Sequence, residues 1–315
     1  MNEQNEAGWE RKLLQKLALE NLKEIRRRRR WGVFFKLLGF AYVGFILYLA
    51  WAWQGGAETA TDGAAHTALV ELNGTIGPGD AVSAEQINLA LQSAFEDIGT
   101  KGVILRINSP GGSPVQAGMI NDEIRRLRAK HKDIPVYAVV EDICASGGYY
   151  VAAAADRIYV DKASIVGSIG VRMDGFGFTG VMDKLGVERR LVTAGENKAF
   201  LDPFSPQDPK QVAFAQSMLE EIHQQFIDVV RKGRGARLKE TPDMFSGLFW
   251  TGAKSIELGL ADAFGTVDSV ARDVIKAEDV RDYTQRENFA ERFAKRFGAD
   301  VADGATQALS KVGVK

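Results

Sequence analysis

Three chemistries that enzymes commonly draw on are scarce in this chain. It has one cysteine, Cys144, in 315 residues, which excludes an intramolecular disulfide and a cysteine-rich zinc site. Its net charge is −1, which gives no global basis for binding nucleic acid. It has three histidines, His66, His131 and His223, so imidazole chemistry has few places to start. Stability has to come from burial and assembly, and 45% hydrophobic content at this length supports one large domain with appendages.

The charge that is present lies unevenly. Ten Lys/Arg face five Asp/Glu up to Lys36, leaving thirty against thirty-six beyond it. A basic start on a slightly acidic body points to a membrane or another polyanion. Residues 1–30 combine a helically spaced apolar set (Trp9, Leu13, Leu17, Leu22, Ile25) with the unbroken run Arg26 to Arg30. Trp31 to Trp53 follows, with Lys36 as its one charge and aromatic residues at both ends. It supplies the roughly 20 apolar residues that a bilayer-crossing helix needs. Its length, the long segment before it and its flanking tryptophans favour an uncleaved anchor over a cleaved signal, although Ala50-Trp51-Ala52 loosely fits a cleavage site. The positive-inside tendency places the arginines in the cytoplasm and the rest of the chain outside it. Residues 54–66 read as a flexible linker, 67–280 as the folded domain and 281–315 as a C-terminal tail. In that tail Phe289, Phe293 and Phe297 recur at helical spacing among basic residues, fitting a membrane surface or a neighbouring subunit.

Within the domain, strand-like and helix-like stretches alternate. Ala68 to Leu72, Gly102 to Ile107, Pro135 to Val140 and Ile158 to Val160 read as buried strands; Ser83 to Ile98 and Val115 to Lys130 read as helices, the first capped by Ser83. This order predicts parallel pairing with right-handed crossovers, an α/β fold whose sites form at the carboxyl ends of its strands. Two glycine-rich turns fall at such ends, Ser109-Pro110-Gly111-Gly112 and Ala145-Ser146-Gly147-Gly148. Ser146 opens the helix of Gly147 to Ala155, where unpaired backbone N–H groups and the helix dipole stabilise an oxyanion. The same position suits an ordinary capping serine. If the turns face one crevice, the N–H of Gly147 with that of Gly111 or Gly112 supplies the two donors that acyl transfer requires.

A serine nucleophile needs a base. His66 falls in the linker, His131 at a charged helix end and His223 within the helix of about Asp208 to Arg231, none with a matching carboxylate from a loop. A lysine can serve when burial or a neighbouring cation lowers its pKa from about 10.4. Lys198 is the candidate: it follows a predicted strand, Arg189 to Val192, and precedes Ala199, Phe200 and Leu201, although residue type alone does not distinguish it from other lysines. Ser168 is a possible helper, and Cys144 reads as a small core residue. The sequence shows no metal-ligating cluster, and no cofactor is expected.

Several of these motifs together resemble the signal peptide peptidase A (protease IV) family, in its short, single-domain form. They are Ser109-Pro110-Gly111-Gly112, Ala145-Ser146-Gly147-Gly148-Tyr149-Tyr150, Gly167-Ser168-Ile169-Gly170-Val171, Gly195-Glu196-Asn197-Lys198, Trp250-Thr251-Gly252 and Glu257-Leu258-Gly259-Leu260-Ala261-Asp262. The resemblance covers roughly Ala68 to Val274. It implies a Clp-protease/crotonase-like spiral of βαβ units, Ser146 as nucleophile, Lys198 as general base, Gly111 or Gly112 with Gly147 as the oxyanion hole, and Ser168 orienting the lysine. It also implies a homo-oligomer with active sites near subunit interfaces. The expectation is a bacterial inner-membrane serine endopeptidase, anchored by one helix with its catalytic domain periplasmic, that cleaves apolar peptides such as signal-peptide remnants. Its partners are those peptides and the lipid bilayer, with no nucleic acid. The rival readings are a catalytically idle peptide-binding scaffold and a crotonase-type acyl-CoA enzyme.

Overall fold

The computed structural model describes residues 3–54, 63–79 and 82–285; the C-terminal phenylalanines expected on a helix lie outside them. The chain divides into an N-terminal unit, Met1–Ala60, and a second unit, Thr61–Lys315. The first contains a single helix, α1 (Glu3–Gln54). Sequence periodicity suggests a short amphipathic helix set apart from the apolar one, but the two are continuous across Arg26 to Arg30. Arginine is a good helix former, and neither glycine nor proline interrupts that run. Within α1, Arg26–Tyr48 spans 23 residues at a mean hydropathy of 1.6, roughly 35 Å at helical rise and long enough to cross a bilayer core of about 30 Å. The rings of Trp31, Phe34 and Phe35 pack together at its start, with centroids 5.6–5.7 Å apart.

The second unit is built on an α/β sheet. Strands β1 (His66–Asn73), β2 (Thr100–Ser109) and β3 (Val136–Ala145) pair in parallel and are linked by α2 (Ala84–Glu96) and α3 (Pro114–Lys130). Their apolar runs are buried on both faces, as parallel strands with helical crossovers require. Val70, Leu72, Leu105, Ile107, Ala138 and Val140 belong to the main core with Ile87, Leu91, Ile120 and Ile124 of the two helices. Leu69, Ile104 and Val139 form a second cluster with Val270 and Ala271, which lie in a π-helical turn, Val270–Ile275. Strand β3 divides its other edge: Tyr137 to Val139 pair with β4 (Arg157–Val160), whereas Ile143 to Ala145 pair with β5 (Ile165–Gly167). Beyond them β6 (Phe249–Thr251) pairs antiparallel with β5 and β7 (Ala263–Phe264) pairs parallel with β4, while at the opposite edge β8 (Val280–Asp282) pairs parallel with β1.

Helices α4 (Gly147–Ala152), α5 (Thr179–Leu185), α6 (Pro209–Arg234) and α7 (Gly252–Glu257) complete the elements that bear on the site. At its C-terminal end α6 carries a buried arginine. Arg234 is 1% exposed and forks onto both Asp262 carboxylate oxygens at 2.8 Å, while its Nε donates to the Gly259 carbonyl. Burial by itself raises the Asp262 pKa, but the Arg234 fork, the Ile158 N–H and the nearby Arg237 outweigh it and hold the carboxyl below its ordinary value. The Glu257 to Asp262 motif is thus a structural clamp joining α6 to the sheet.

Three expectations need correction. His66 is not in a linker: it opens β1 and is fully buried. Its Nε2 lies 2.9 Å from the Tyr283 hydroxyl and 3.2 Å from Thr100 Oγ1, and Tyr283 donates to Asp97 at 2.7 Å. Burial and the Asp97 carboxylate push the Tyr283 phenol up to about 12. This clasp carries the folded unit past residue 280. The predicted strand from Arg189 to Val192 is also absent. Its residues are exposed, Val192 at 96%, with no core face to bury.

Candidate active site

Three serines stand at helix starts, and their backbones separate them. Ser83 (φ −104°) and Ser113 (φ −60°) are ordinary caps whose hydroxyls accept from Gln86 N–H and Gln116 N–H. Ser146 has φ 51° and ψ −123° and makes no capping bond. A non-glycine residue in this region carries strain of order 1–3 kcal/mol. The cause is local: β3 ends in register with β5, with Ala145 opposite Gly167. The chain then turns at once into α4, and the Ser146 amide donates to the Gly167 carbonyl at 2.9 Å. The turn therefore leaves the hydroxyl free of the capping role.

The second glycine turn lies against this one. A methyl built on Gly111 meets Ser146 Cβ at 2.7 Å and Gly147 N at 2.6 Å. One built on Gly147 meets Gly112 N at 3.2 Å. The backbones of the two turns approach as only residues without a Cβ permit, so the expectation that they share a crevice holds. The turn is fixed from behind by the fully buried Ser109, whose hydroxyl donates to the Gly74 carbonyl at 2.6 Å and accepts the Gly111 N–H at 3.1 Å. Between the two candidate donors, the Gly111 N–H is thus already engaged. Among the described residues no acceptor meets the N–H of Gly112 or of Gly147.

Ser168 follows the end of β5 as Ser146 follows the end of β3, and it too has a positive φ, 52°. Its amide donates to the Leu248 carbonyl at 2.7 Å. Ser146 and Ser168 therefore stand side by side at adjacent strand ends. Cys144 is fully buried, and burial pushes its thiol well above the ordinary range. Lys198 is placed differently. It lies in an exposed turn, its amide bonded to the Gly195 carbonyl. No hydrogen bond or ion pair joins it to Ser146 or Ser168 among the described residues. The segment around it exposes apolar side chains, including Phe176 (80%), Leu185 (73%) and Val192 (96%).

No hydrogen bond joins a histidine to Ser146 among the described residues. His66 has a carboxylate neighbour, Asp97 at 4.0 Å, but both sit at the amino end of β1, a strand's length from the turns. His131 caps the far end of α3 and packs on Phe95. His223 is the exception in position: its Nε2 lies 3.1 Å from the Ile169 carbonyl oxygen, one residue from Ser168. Sequence reading weighs His223 as a base and sets it aside as a helix residue, and takes Ser109 only as part of the glycine turn. Ser109 is signalled by its place before Pro-Gly-Gly, whereas nothing local signals His223.

Comparison with known proteins follows this geometry. The family model "Peptidase family S49" matches residues 128–281. The "Putative signal peptide peptidase SppA" of Enterococcus faecium is 31% identical over 237 residues, spanning 72% of this chain and 68% of that protein. The chain belongs to peptidase family S49, the signal peptide peptidase A family. A "Na(+)/H(+) antiporter NhaA" of Brucella melitensis is 45% identical over 209 residues, which cover 65% of this chain but 28% of that protein. This chain thus matches little more than a quarter of the Brucella relative. Among solved structures, a ClpP1 mutant of Listeria monocytogenes aligns with a TM-score of 0.39 and 14% identity, covering 62% of this chain and 90% of that one.

Proposed function

We propose that the chain is a membrane-anchored serine endopeptidase with Ser146 as nucleophile and Lys198 as general base. The observation that carries this reading is the strained, non-capping Ser146 beside the unengaged N–H groups of Gly112 and Gly147. In the proposed cycle the neutral Lys198 amine takes the Ser146 hydroxyl proton as Oγ attacks the scissile carbonyl. The Gly147 and Gly112 N–H groups receive the oxyanion. The lysine then gives its proton to the leaving amine; in deacylation it takes a proton from the attacking water and returns it to Ser146 Oγ as the ester bond breaks and the acyl chain leaves as the acid. Ser168 orients the lysine.

A lysine base must be removed from water to work near neutral pH, and Lys198 is exposed in the single chain. Two features support a neighbouring subunit as the cover and as the partner in catalysis. The first is the exposed apolar surface of the segment that bears Lys198. The second is the spacing of two contacts on α6: Gln211 Oε1 accepts the Leu201 N–H just after Lys198, whereas His223 meets Ile169 beside Ser168. Twelve residues of helix put these contacts about 18 Å apart. A homo-oligomer in which one subunit lends its lysine to the next satisfies both.

The substrate reading rests on the anchor. The Arg26–Tyr48 span holds the enzyme beside the bilayer that retains apolar signal-peptide remnants. With Arg26 to Arg30 in the bacterial cytoplasm, the catalytic unit faces the periplasm. A fluorophosphonate probe tests the assignment. It is expected to label the wild-type chain and not Ser146→Ala, and unlabelled wild type in an intact assembly would leave the peptide-binding scaffold as the reading.

A further inference from the structure

His223 lies at the centre of a set of bonds that the proposed cycle does not use. The Gly167 to Gly170 turn has positive φ at Gly167 (116°) and Ser168 (52°). Around it the Ser146 amide reaches the Gly167 carbonyl, the Ser168 amide reaches the Leu248 carbonyl and the Gly170 amide folds back to Ser168 at 3.0 Å, while Gly167 pairs with Phe249 of β6 and lies against the Trp250 ring. On the α6 side, His223 Nε2 meets the Ile169 carbonyl at 3.1 Å. A carbonyl oxygen only accepts, so Nε2 carries the proton in this bond. His223 is half-buried, and the Ile169 side chain below it is fully buried. The carbonyl is therefore pinned from the helix while its own side chain is fixed in the core.

We propose that His223 is a positioning residue for the serine site. By holding the Ile169 carbonyl it sets the strained turn at Ser168, and through the Gly167 carbonyl it fixes the amide of Ser146. The assignment rests on the serine-peptidase reading. It gives a helix-packing histidine a role in catalysis: misplacing a reacting group by about 1 Å can cost on the order of 100-fold in rate. Because α6 also holds the turn after Lys198 through Gln211, the helix is a common spine for both halves of the machinery.

The test compares full-length wild type, His223→Gln, His223→Asn and His223→Leu, assembled in detergent, by the rate and pH profile of fluorophosphonate labelling at Ser146 and by thermal melting. Glutamine can place a donor nitrogen near the same carbonyl; asparagine is too short and leucine has no donor. The expected result is labelling reduced at least about tenfold in His223→Asn and His223→Leu, a displaced pH midpoint, and recovery in His223→Gln at a melting temperature like that of His223→Asn. If His223→Leu fails to assemble, the glutamine and asparagine variants alone carry the comparison. Wild-type rates and midpoint in His223→Asn, or a folded His223→Gln as slow as His223→Asn, overturn the assignment alone. A wild-type enzyme that takes no label at Ser146 overturns the peptidase reading and this assignment with it.

Discussion

Replacing Ser146 by glycine should stabilise the protein while abolishing its reactivity. The native φ of 51° with ψ −123° costs a side-chain-bearing residue about 1–3 kcal/mol. Glycine removes that strain and gives back about 0.5–1 kcal/mol through the greater freedom of its unfolded chain. The Ser146 hydroxyl makes no capping bond, so its removal subtracts nothing further. The net gain is about 1 kcal/mol, or roughly 2–4 °C in Tm for a domain of this size. Ser146→Ala keeps the strain and should melt near wild type. Ser113→Ala is the contrasting control, because its hydroxyl does cap a helix; it should lose about 0.5–2 kcal/mol. The assay is thermal unfolding of the detergent-solubilised full chain, with fluorophosphonate labelling in parallel. A Ser146→Gly protein that melts below Ser146→Ala would refute the reasoning, since it would mean that the backbone at this position is unstrained.

The remaining predictions concern the clamp, the lysine and the thiol. Arg234→Leu leaves the Asp262 carboxylate with Arg237, at 3.2 Å, as its remaining cation and should cost up to about 3–5 kcal/mol in chemical unfolding; a loss below 1 kcal/mol would mean that the Arg234 pair is dispensable. Asp262 lies below its ordinary value of 3.8 in the folded state, so its contribution is full above that pH and is lost as pH falls through the lower folded value. Asp262→Asn should flatten that part of the acid-unfolding curve, and an unchanged acid limb contradicts the sign. Co-assembly of Ser146→Ala with Lys198→Met chains, each inactive alone, should restore peptidase activity if neighbours share sites; no recovery in verified mixed particles argues for pairing within one chain. Cys144, buried in the core, should react with a thiol reagent only on unfolding, and rapid native reaction would contradict its burial.

Much of the fold is legible because parallel strands buried on both faces demand long apolar runs. Val136 to Val140 shows one without interruption, Val103 to Ile107 shows one broken only by Arg106, and the Ser83 cap is equally local. The Ser146 turn is legible in position but not in conformation. Its hydroxyl reads as a cap or a nucleophile until the pairing of β3 with β5 forces a positive φ. Features that depend on distant partners were hidden. His66 looks like the end of a polar linker, because Tyr283, 217 residues away, is what buries it. Arg189 to Val192 has strand-like composition but pairs with no strand among the described residues. His223 gives no sign of its place, since its contact with Ile169 exists only once α6 has packed.

The most direct measurement is mass-spectrometric identification of the serine modified by a fluorophosphonate in the assembled full-length protein, with the modification rate compared between wild type and Lys198→Met. The account predicts label on Ser146 and a large fall in its rate in Lys198→Met. Label on a different serine, or an unaltered rate without Lys198, would contradict it.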